Sequence, residues 1–366
     1  LLRRMAGGLV FFTGFPGFIG RRLVARLLAD DPDVRIAALV EDKMAEAART
    51  AASGLDGGDR VEVLVGDIGD RRLGLSDADY DRLTSEVTTA HHLAAIYNLA
   101  VPLEVAQRVN VDGTGNVLDL LGRAKQLERL NYVSTAYVAG MRTGVVYEHE
   151  LVMGQQHKNH YESTKFQAEV WVRERMGDIP TTVYRPAIVV GDSSTGETQK
   201  FDGPYYILRT IARAGGGPLA MFGRSEAPFN VVPVDFIVDA IAAASADPAA
   251  VGETLHLVDP DPITAADLFR SLAREYAGRE PSFRVPPRLV ERSLHFDAVR
   301  KQFGGAPSES IQYLNHAVRF DTRRADEVLG RSGLRCPRFE EYVANMVRFF
   351  REHETDDAMI PAGAAL

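Results

Sequence analysis

Gly14, Gly17 and Gly20 recur at three-residue intervals between an apolar run and an amphipathic one, and this arrangement restricts the fold more than any other stretch. The run Leu9-Val10-Phe11-Phe12-Thr13 is apolar or β-branched throughout, as in a strand buried on both faces of a parallel sheet. Beyond Gly17, residues Phe18, Leu23, Val24, Leu27 and Leu28 return at helical spacing. In such a strand–turn–helix the first glycine permits a sharp turn. The second lets backbone N–H groups reach a phosphate with no side chain between, and the third lets the helix pack closely on the strand. A helix N-terminus aimed at the turn favours a pyrophosphate. Gly14, Phe15, Gly17, Phe18, Ile19 and Gly20 are therefore the expected phosphate-side contacts of a dinucleotide.

Further strands are expected over 34–40, 61–65, 87–95, 130–135 and 181–190, with helices over 42–52, 76–86, from Pro102, 160–176 and 204–214. Strands and helices alternating at these intervals predict an α/β fold, a Rossmann-type doubly wound parallel sheet. Residues 141–159 form a polar loop long enough to serve a function. An extended piece at 230–234 and a helix over 235–244 return the chain to the main sheet, and after Pro260 strand signals fade. Helical segments near 264–277, 287–294 and 339–352 predict a smaller, mainly helical C-terminal lobe. The expected division is a dinucleotide-binding domain over 1–203 and 229–259, with a substrate-binding lobe over 204–228 and 260–366.

The net charge of −8, a pI near 5.7 and the lack of a basic cluster interleaved with aromatics argue against a nucleic-acid partner. Cys336 is the single cysteine, so no internal disulfide or thiolate metal cluster can form, which fits a reducing cytosol. No metal is expected. The lead-in from Leu1 to Met5 is too short for a signal peptide and no apolar run is long enough to span a membrane, so a cytoplasmic location is expected. On the last helix Tyr342, Val343, Met346, Val347 and Phe350 share a face. Core packing is favoured there over a membrane-surface or dimer helix, and a homodimer stays open.

Tyr161 and Lys165, at i and i+4, put a phenol and an ammonium on one helical face. A phenol with an ordinary pKa of about 10 is a poor acid–base group at neutral pH. A neighbouring ammonium and an oxidised nicotinamide would draw that value down. Ser134-Thr135 ends the fifth strand at the carboxyl edge, where open α/β sheets hold their ligands. A hydroxyl there can bond a substrate oxygen beside Tyr161, or merely satisfy backbone groups at the strand end. Asn110 lies within a long helix to which asparagine contributes little. Two readings stay open for it: support of a kink or a water near Lys165, or simple exposure.

Taken in order, Thr13-Gly14-Phe15-Pro16-Gly17-Phe18-Ile19-Gly20, Gly66-Asp67, His92-Leu93-Ala94-Ala95, Asn110-Val111-Asp112-Gly113-Thr114, Val133-Ser134-Thr135-Ala136, Tyr161-x-x-x-Lys165 and Tyr184-Arg185-Pro186 resemble an extended short-chain dehydrogenase/reductase over roughly residues 9 to 260. The stretches Asn159–Glu169 and Tyr184–Gly196 resemble its fatty acyl-CoA reductase and thioester reductase branch in particular. The resemblance implies Thr135, Tyr161 and Lys165 as the catalytic set, with Asn110 in support and Ser134 as the less favoured hydroxyl. It implies Asp67 and Ile68 beside the adenine, Ala94 and Ala95 along the middle of the cofactor, and Pro186, Ala187 and Ile188 at the nicotinamide amide. Lys165 would also hold the ribose. Within these 366 residues, neither a carrier-protein or adenylation module nor the large extra domain of alcohol-forming acyl-CoA reductases is expected beside these motifs.

The implied cofactor is NAD(P)(H). Glu41-Asp42 follows the second strand where many relatives carry arginine, and a carboxylate there suits ribose hydroxyls and repels a 2′-phosphate, which favours NAD(H). Lys43, Arg21 and Arg22 are near enough in sequence to offer a phosphate a contrary attraction. The expected reaction is hydride transfer to a carbonyl, with a lipid-like acyl thioester or fatty aldehyde favoured as the small-molecule substrate. A sterol, a nucleotide sugar or a regulatory role without turnover are the alternatives. Phe201, Tyr205, Tyr206, Ile207, Leu208, Met221, Phe222 and Phe229 suit an alkyl tunnel or the core of the smaller lobe, and sequence does not separate the two.

Overall fold

The computed structural model describes residues 8–97, 101–222, 226–285 and 312–360. The lead-in from Leu1 to Met5 and the helix expected over 287–294 lie outside the described residues.

Seven parallel strands form the central sheet: β1 (Leu9–Thr13), β2 (Arg35–Val40), β3 (Val61–Val65), β4 (Val87–His92), β5 (Arg129–Val133), β7 (Thr181–Pro186) and β11 (Thr254–Leu257). Their order is β11-β7-β5-β4-β1-β2-β3. The chain winds outward in both directions from the β1–β4 neighbours, and the crevice at their carboxyl ends is the ligand position in doubly wound sheets. Val10 and Phe12 face one apolar layer and Leu9 and Phe11 the other, as strand alternation requires. Helices α1 (Phe18–Asp30) and α8 (Val234–Ala246) pack against each other.

The strand expected over 181–190 divides at Ala187, whose N–H bonds Leu257 O at 3.1 Å. The second part, β8 (Ile188–Val190), leaves the main sheet and pairs with β10 (Val231–Pro233). The polar loop over 141–159 holds a short strand, β6 (Gly144–Val146), paired in parallel with β13 (Val318–Phe320) from the C-terminal part.

A second apolar core gathers α7 (Tyr205–Ala214), α9 (Ala265–Ala277) and the last helix, α11 (Phe339–His353). Tyr342, Val343, Met346, Val347 and Phe350 are all buried in it, so the shared face of α11 is core. Phe201, Tyr205, Ile207, Leu208, Met221 and Phe229 pack into this same core, and Tyr206 packs on Ile360. The aromatic segment is therefore interior packing rather than the wall of an alkyl tunnel. The side chain of Phe222 lies outside the described set.

Candidate active site

The glycine turn is tight because Gly14 folds back on the start of α1. Gly14 has a φ of 93°, and a Cβ there would lie 2.9 Å from the Leu93 side chain and 3.0 Å from Ala94 N. A Cβ on Gly17 or Gly20 would lie 2.8 or 2.3 Å from Gly14 O. The glycines thus serve close packing of the turn upon itself as well as access to its backbone. No side chain caps the first turn of α1, which leaves the amides around Phe18 and Ile19 directed at the crevice. This uncapped, Cβ-free cradle fits a dinucleotide pyrophosphate.

Helix α6 (His160–Arg175) begins where the Asn159 side chain accepts the Glu162 N–H at 2.9 Å. Tyr161 is on its first turn and half-buried, and the Thr135 hydroxyl is among the groups acting on its phenol. Thr135 also donates to Pro186 O at 3.5 Å, which ties this pair to the expected nicotinamide edge at Pro186, Ala187 and Ile188. Burial pushes the Tyr161 phenol up from its ordinary value, and the Thr135 hydroxyl only partly offsets this. In the protein alone the phenol is thus held protonated. The Lys165 ammonium donates to Val133 O at 2.7 Å and lies 4.5 Å from the centre of the Tyr132 ring. Burial brings its pKa down to about 7 against the attraction of Glu169.

Ser134 and Thr135 have separate employments. Ser134 donates to Glu169 Oε2 at 2.6 Å, and Glu169 accepts Arg185 Nη2 at 2.7 Å in a fully buried pair. Ser134 therefore belongs to the support beneath the site, while Thr135 faces Tyr161.

Asn110 occupies a π-turn (Gln107–Asp112) that joins α4 (Leu103–Ala106) to α5 (Gly113–Leu121). Its Oδ1 accepts Ile96 N at 2.8 Å and its Nδ2 donates to Thr164 Oγ1 at 3.0 Å. Of the two readings, support of an irregular backbone holds, and its link is to α6 through Thr164 rather than to Lys165. Such π-turns recur at functional sites.

Sequence reasoning assigned no role to His92, which proves central. Thr114 Oγ1 donates to Asn110 O at 2.7 Å, so it can only accept from His92 Nε2 at 3.0 Å. Nδ1 of the neutral ring is then the acceptor for the Thr13 hydroxyl at 2.7 Å, and Thr13 accepts the Ala94 N–H at 3.2 Å. Burial, with Lys165 adding to it, brings the imidazole down to about 3, so it stays neutral. One directed chain of hydrogen bonds therefore runs from the end of β1, beside Gly14, to the Asn110 turn that holds α6. Its sequence signal was the threonine, histidine and threonine flanking otherwise apolar elements.

At the far end of the crevice Glu41 pairs with Lys43. Burial raises the Asp67 carboxyl, but bonds from Arg108 Nη2 at 2.7 Å and Gly69 N at 2.7 Å hold it below its ordinary value. Arg108 also reaches Asp70 at 2.8 Å, and Ile68 O accepts Asn116 Nδ2 at 2.8 Å. Arg21 and Arg22 both lie 3.1 Å from Glu197 and are engaged there rather than at the ribose edge. Ala94 and Ala95 follow β4 across from Gly14.

The Tyr97 ring meets Tyr161 edge-on, with centroids 5.2 Å apart, and is itself 56% accessible.

The family profile described as male sterility protein, an NAD-binding family, matches residues 12–241. The aldehyde reductase lnaA of Aspergillus flavus is 31% identical over 287 residues, 72% of this chain and 27% of that protein. A carboxylic acid reductase of Segniliparus rugosus is 28% identical over 63% of this chain and 22% of its own length. The chain thus spans less than a third of these curated relatives. The crystal structure of the terminal R domain from the myxalamid PKS-NRPS biosynthetic pathway superposes with a TM-score of 0.79 at 26% identity, covering 97% of this chain and 93% of that one.

Proposed function

Because the chain belongs to the male sterility protein family, in the fatty acyl-CoA and thioester reductase branch of the extended short-chain dehydrogenases/reductases, and is accordingly an NAD(P)-dependent oxidoreductase, we propose that it reduces an acyl thioester to the aldehyde. The observation that carries this reading is the half-buried Tyr161 phenol on which the Thr135 hydroxyl acts, with Thr135 itself donating to Pro186 O at 3.5 Å. NAD(P)H, when bound, supplies the hydride to the carbonyl carbon. As charge gathers on the carbonyl oxygen, the Tyr161 and Thr135 hydroxyls donate to it, and the oxyanion then collapses with loss of thiolate. On an aldehyde the same Tyr161 hydroxyl gives its proton to the oxygen, which a phenol kept protonated by burial is suited to do. Lys165 binds the ribose and Asn110 keeps α6 in place.

NAD(H) is the proposed preference, since the cations near the ribose, Lys43 and Arg108, are already paired with Glu41, Asp67 and Asp70. A long alkyl acyl group loses the feature that favoured it, because the aromatic segment is core. The deciding experiment is a panel of acyl-pantetheine and acyl-CoA thioesters, aldehydes, sterols and UDP-sugars, followed by nicotinamide absorbance. Reduction of thioesters to aldehydes is expected; turnover confined to sterols or UDP-sugars would overturn the reading.

A further inference from the structure

A buried polar cluster at the start of α6 takes no part in the proposed chemistry. Glu162, next to Tyr161 in the chain, is wholly buried. Its Oε2 accepts the Lys158 N–H at 2.9 Å, and its Oε1 accepts the Lys158 ammonium at 3.1 Å and the Tyr313 hydroxyl at 2.7 Å. Lys158 also donates to Gly140 O at 2.7 Å, and its ammonium lies 5.5 and 5.1 Å from the ring centres of Tyr137 and Tyr313. Tyr313 comes from the C-terminal part, 151 residues away from Glu162 in the chain. Its segment is laid along the 141–159 loop, where His316 Nε2 donates to Arg142 O at 2.6 Å and Ala317 O accepts the Gly144 N–H at 2.9 Å.

The Tyr313 hydroxyl both donates and accepts: it gives its proton to Glu162 and accepts Asn159 Nδ2 at 3.0 Å. The second bond fixes which way the Asn159 amide points, and so leaves Oδ1 to cap α6 at the Glu162 N–H. On its other side the Tyr313 ring meets Tyr137 edge-on, with centroids 4.9 Å apart, and the Tyr137 N–H donates to Thr135 Oγ1 at 3.3 Å. One residue of the C-terminal part therefore braces both the turn that carries Tyr161 and the turn that follows Thr135. Glu162 keeps both Lys158 donors without it, so the hydroxyl is not needed to pair the buried charge. What it adds is the orientation of Asn159 and of the first turn of α6, and donation to a carbonyl oxygen tolerates little misplacement of the donor. Resting on the thioester reading above, we propose that Tyr313 is a positioning residue for the reduction, its hydroxyl setting Tyr161 and its ring setting Thr135 through Tyr137.

Tyr313→Phe removes the hydroxyl and keeps the ring, whereas Tyr313→Leu removes both. On an acyl-pantetheine thioester, and separately on the matching aldehyde, Tyr313→Phe should lower kcat about five- to tenfold while substrate KM and NADH affinity stay within about twofold. Thermal melting and NADH fluorescence confirm that each variant folds and binds cofactor. The deciding measurement repeats the change in a Tyr161→Phe background. A hydroxyl that acts through Tyr161 has nothing left to position there, so Tyr313→Phe should leave the residual rate unchanged. Tyr313→Leu, which also frees Tyr137, should still lower that rate, because Thr135 remains to be misplaced. The same loss from Tyr313→Phe in both backgrounds, or a parental kcat with only a lower melting temperature, would overturn the inference even with thioester reduction intact. A parent that reduces the aldehyde but no thioester would overturn the thioester reading, and a loss on the aldehyde that disappears in the Tyr161→Phe background would leave the positioning role standing.

Discussion

At the scale of single residues, the two adjacent hydroxyls at the end of β5 are distinguished by their partners. Thr135 acts on the Tyr161 phenol and donates to Pro186 O, whereas Ser134 is committed to Glu169. Tyr161→Phe should keep cofactor affinity close to the parent and lower turnover by about two or more orders of magnitude, the scale of acid–base catalysis. Thr135→Val should lower kcat in the same direction with little change in melting temperature. Ser134→Ala should do the reverse, since it strips a bond from a buried carboxylate, and comparing kcat with melting in both variants checks the assignment. Glu41 offers a separate test. In Glu41→Gln, Lys43 loses its partner and the negative charge leaves the ribose edge, so affinity for NADPH should rise relative to NADH by about tenfold, or about 1.4 kcal/mol. Fluorescence titration with both cofactors measures it, and an unchanged ratio would remove Glu41 from cofactor selection.

At the scale of elements, what could be read from the sequence depended on whether local pattern or distant pairing built the element. β1, its glycine turn and α1 announce themselves through periodicity, and Tyr161 and Lys165 follow from helical spacing. β11 escaped because four residues with a histidine among them carry little pattern; it exists because it pairs with β7. The break at Ala187 was likewise hidden, since 181–190 is continuously apolar or β-branched apart from Tyr184-Arg185-Pro186, and only the pairing of β8 with β10 divides it. Two further elements, β13 and α10 (Arg323–Gly330), were also missed. Glu148 from the 141–159 loop holds the start of α10 by accepting the Arg324 and Ala325 N–H groups at 2.7 and 3.0 Å. The His92 chain is an element-scale device of the same kind, joining β1, β4, α5 and α6 through side chains too far apart in sequence to suggest contact. His92→Phe should therefore weaken NADH binding and lower kcat together, whereas a histidine that only fills core space would change melting alone. Imidazole ¹⁵N shifts in the parent should report the Nε2–H tautomer from neutral pH down to about pH 4.

At the scale of the whole molecule, burial of titrating groups sets how stability responds to acid. His91, His92 and His256 are each brought down to about 3, and His316 to about 4, in every case chiefly by burial. Such histidines are neutral when folded and gain a proton on unfolding, so their stabilisation is complete above the unfolded value of about 6.5 and is lost as pH falls toward their folded values. Three carboxyls act oppositely. Burial raises Glu148 to about 7 and Asp202 and Asp259 to about 6, so the folded state holds protons that the unfolded chain releases. Their contribution is complete below the ordinary carboxylate range and is lost as pH rises through 6 to 7. Between pH 6.5 and 5 the two sets largely cancel, and the melting temperature should decline only gently. As pH falls through about 4, the ordinary carboxylate range, those carboxyls become protonated in both states and cease to offset the histidines. The paired carboxylates held low, Glu169 beside Arg185 and Asp67 beside Arg108, then begin to lose their partners' benefit as well. Stability should fall steeply there. Asp202→Asn removes one of the offsetting carboxyls and should turn the gentle decline between pH 6.5 and 5 into a clear slope. Melting curves of the parent and that variant across pH 4 to 7.5 would measure both, and parallel curves would show that Asp202 titrates as an ordinary surface carboxylate.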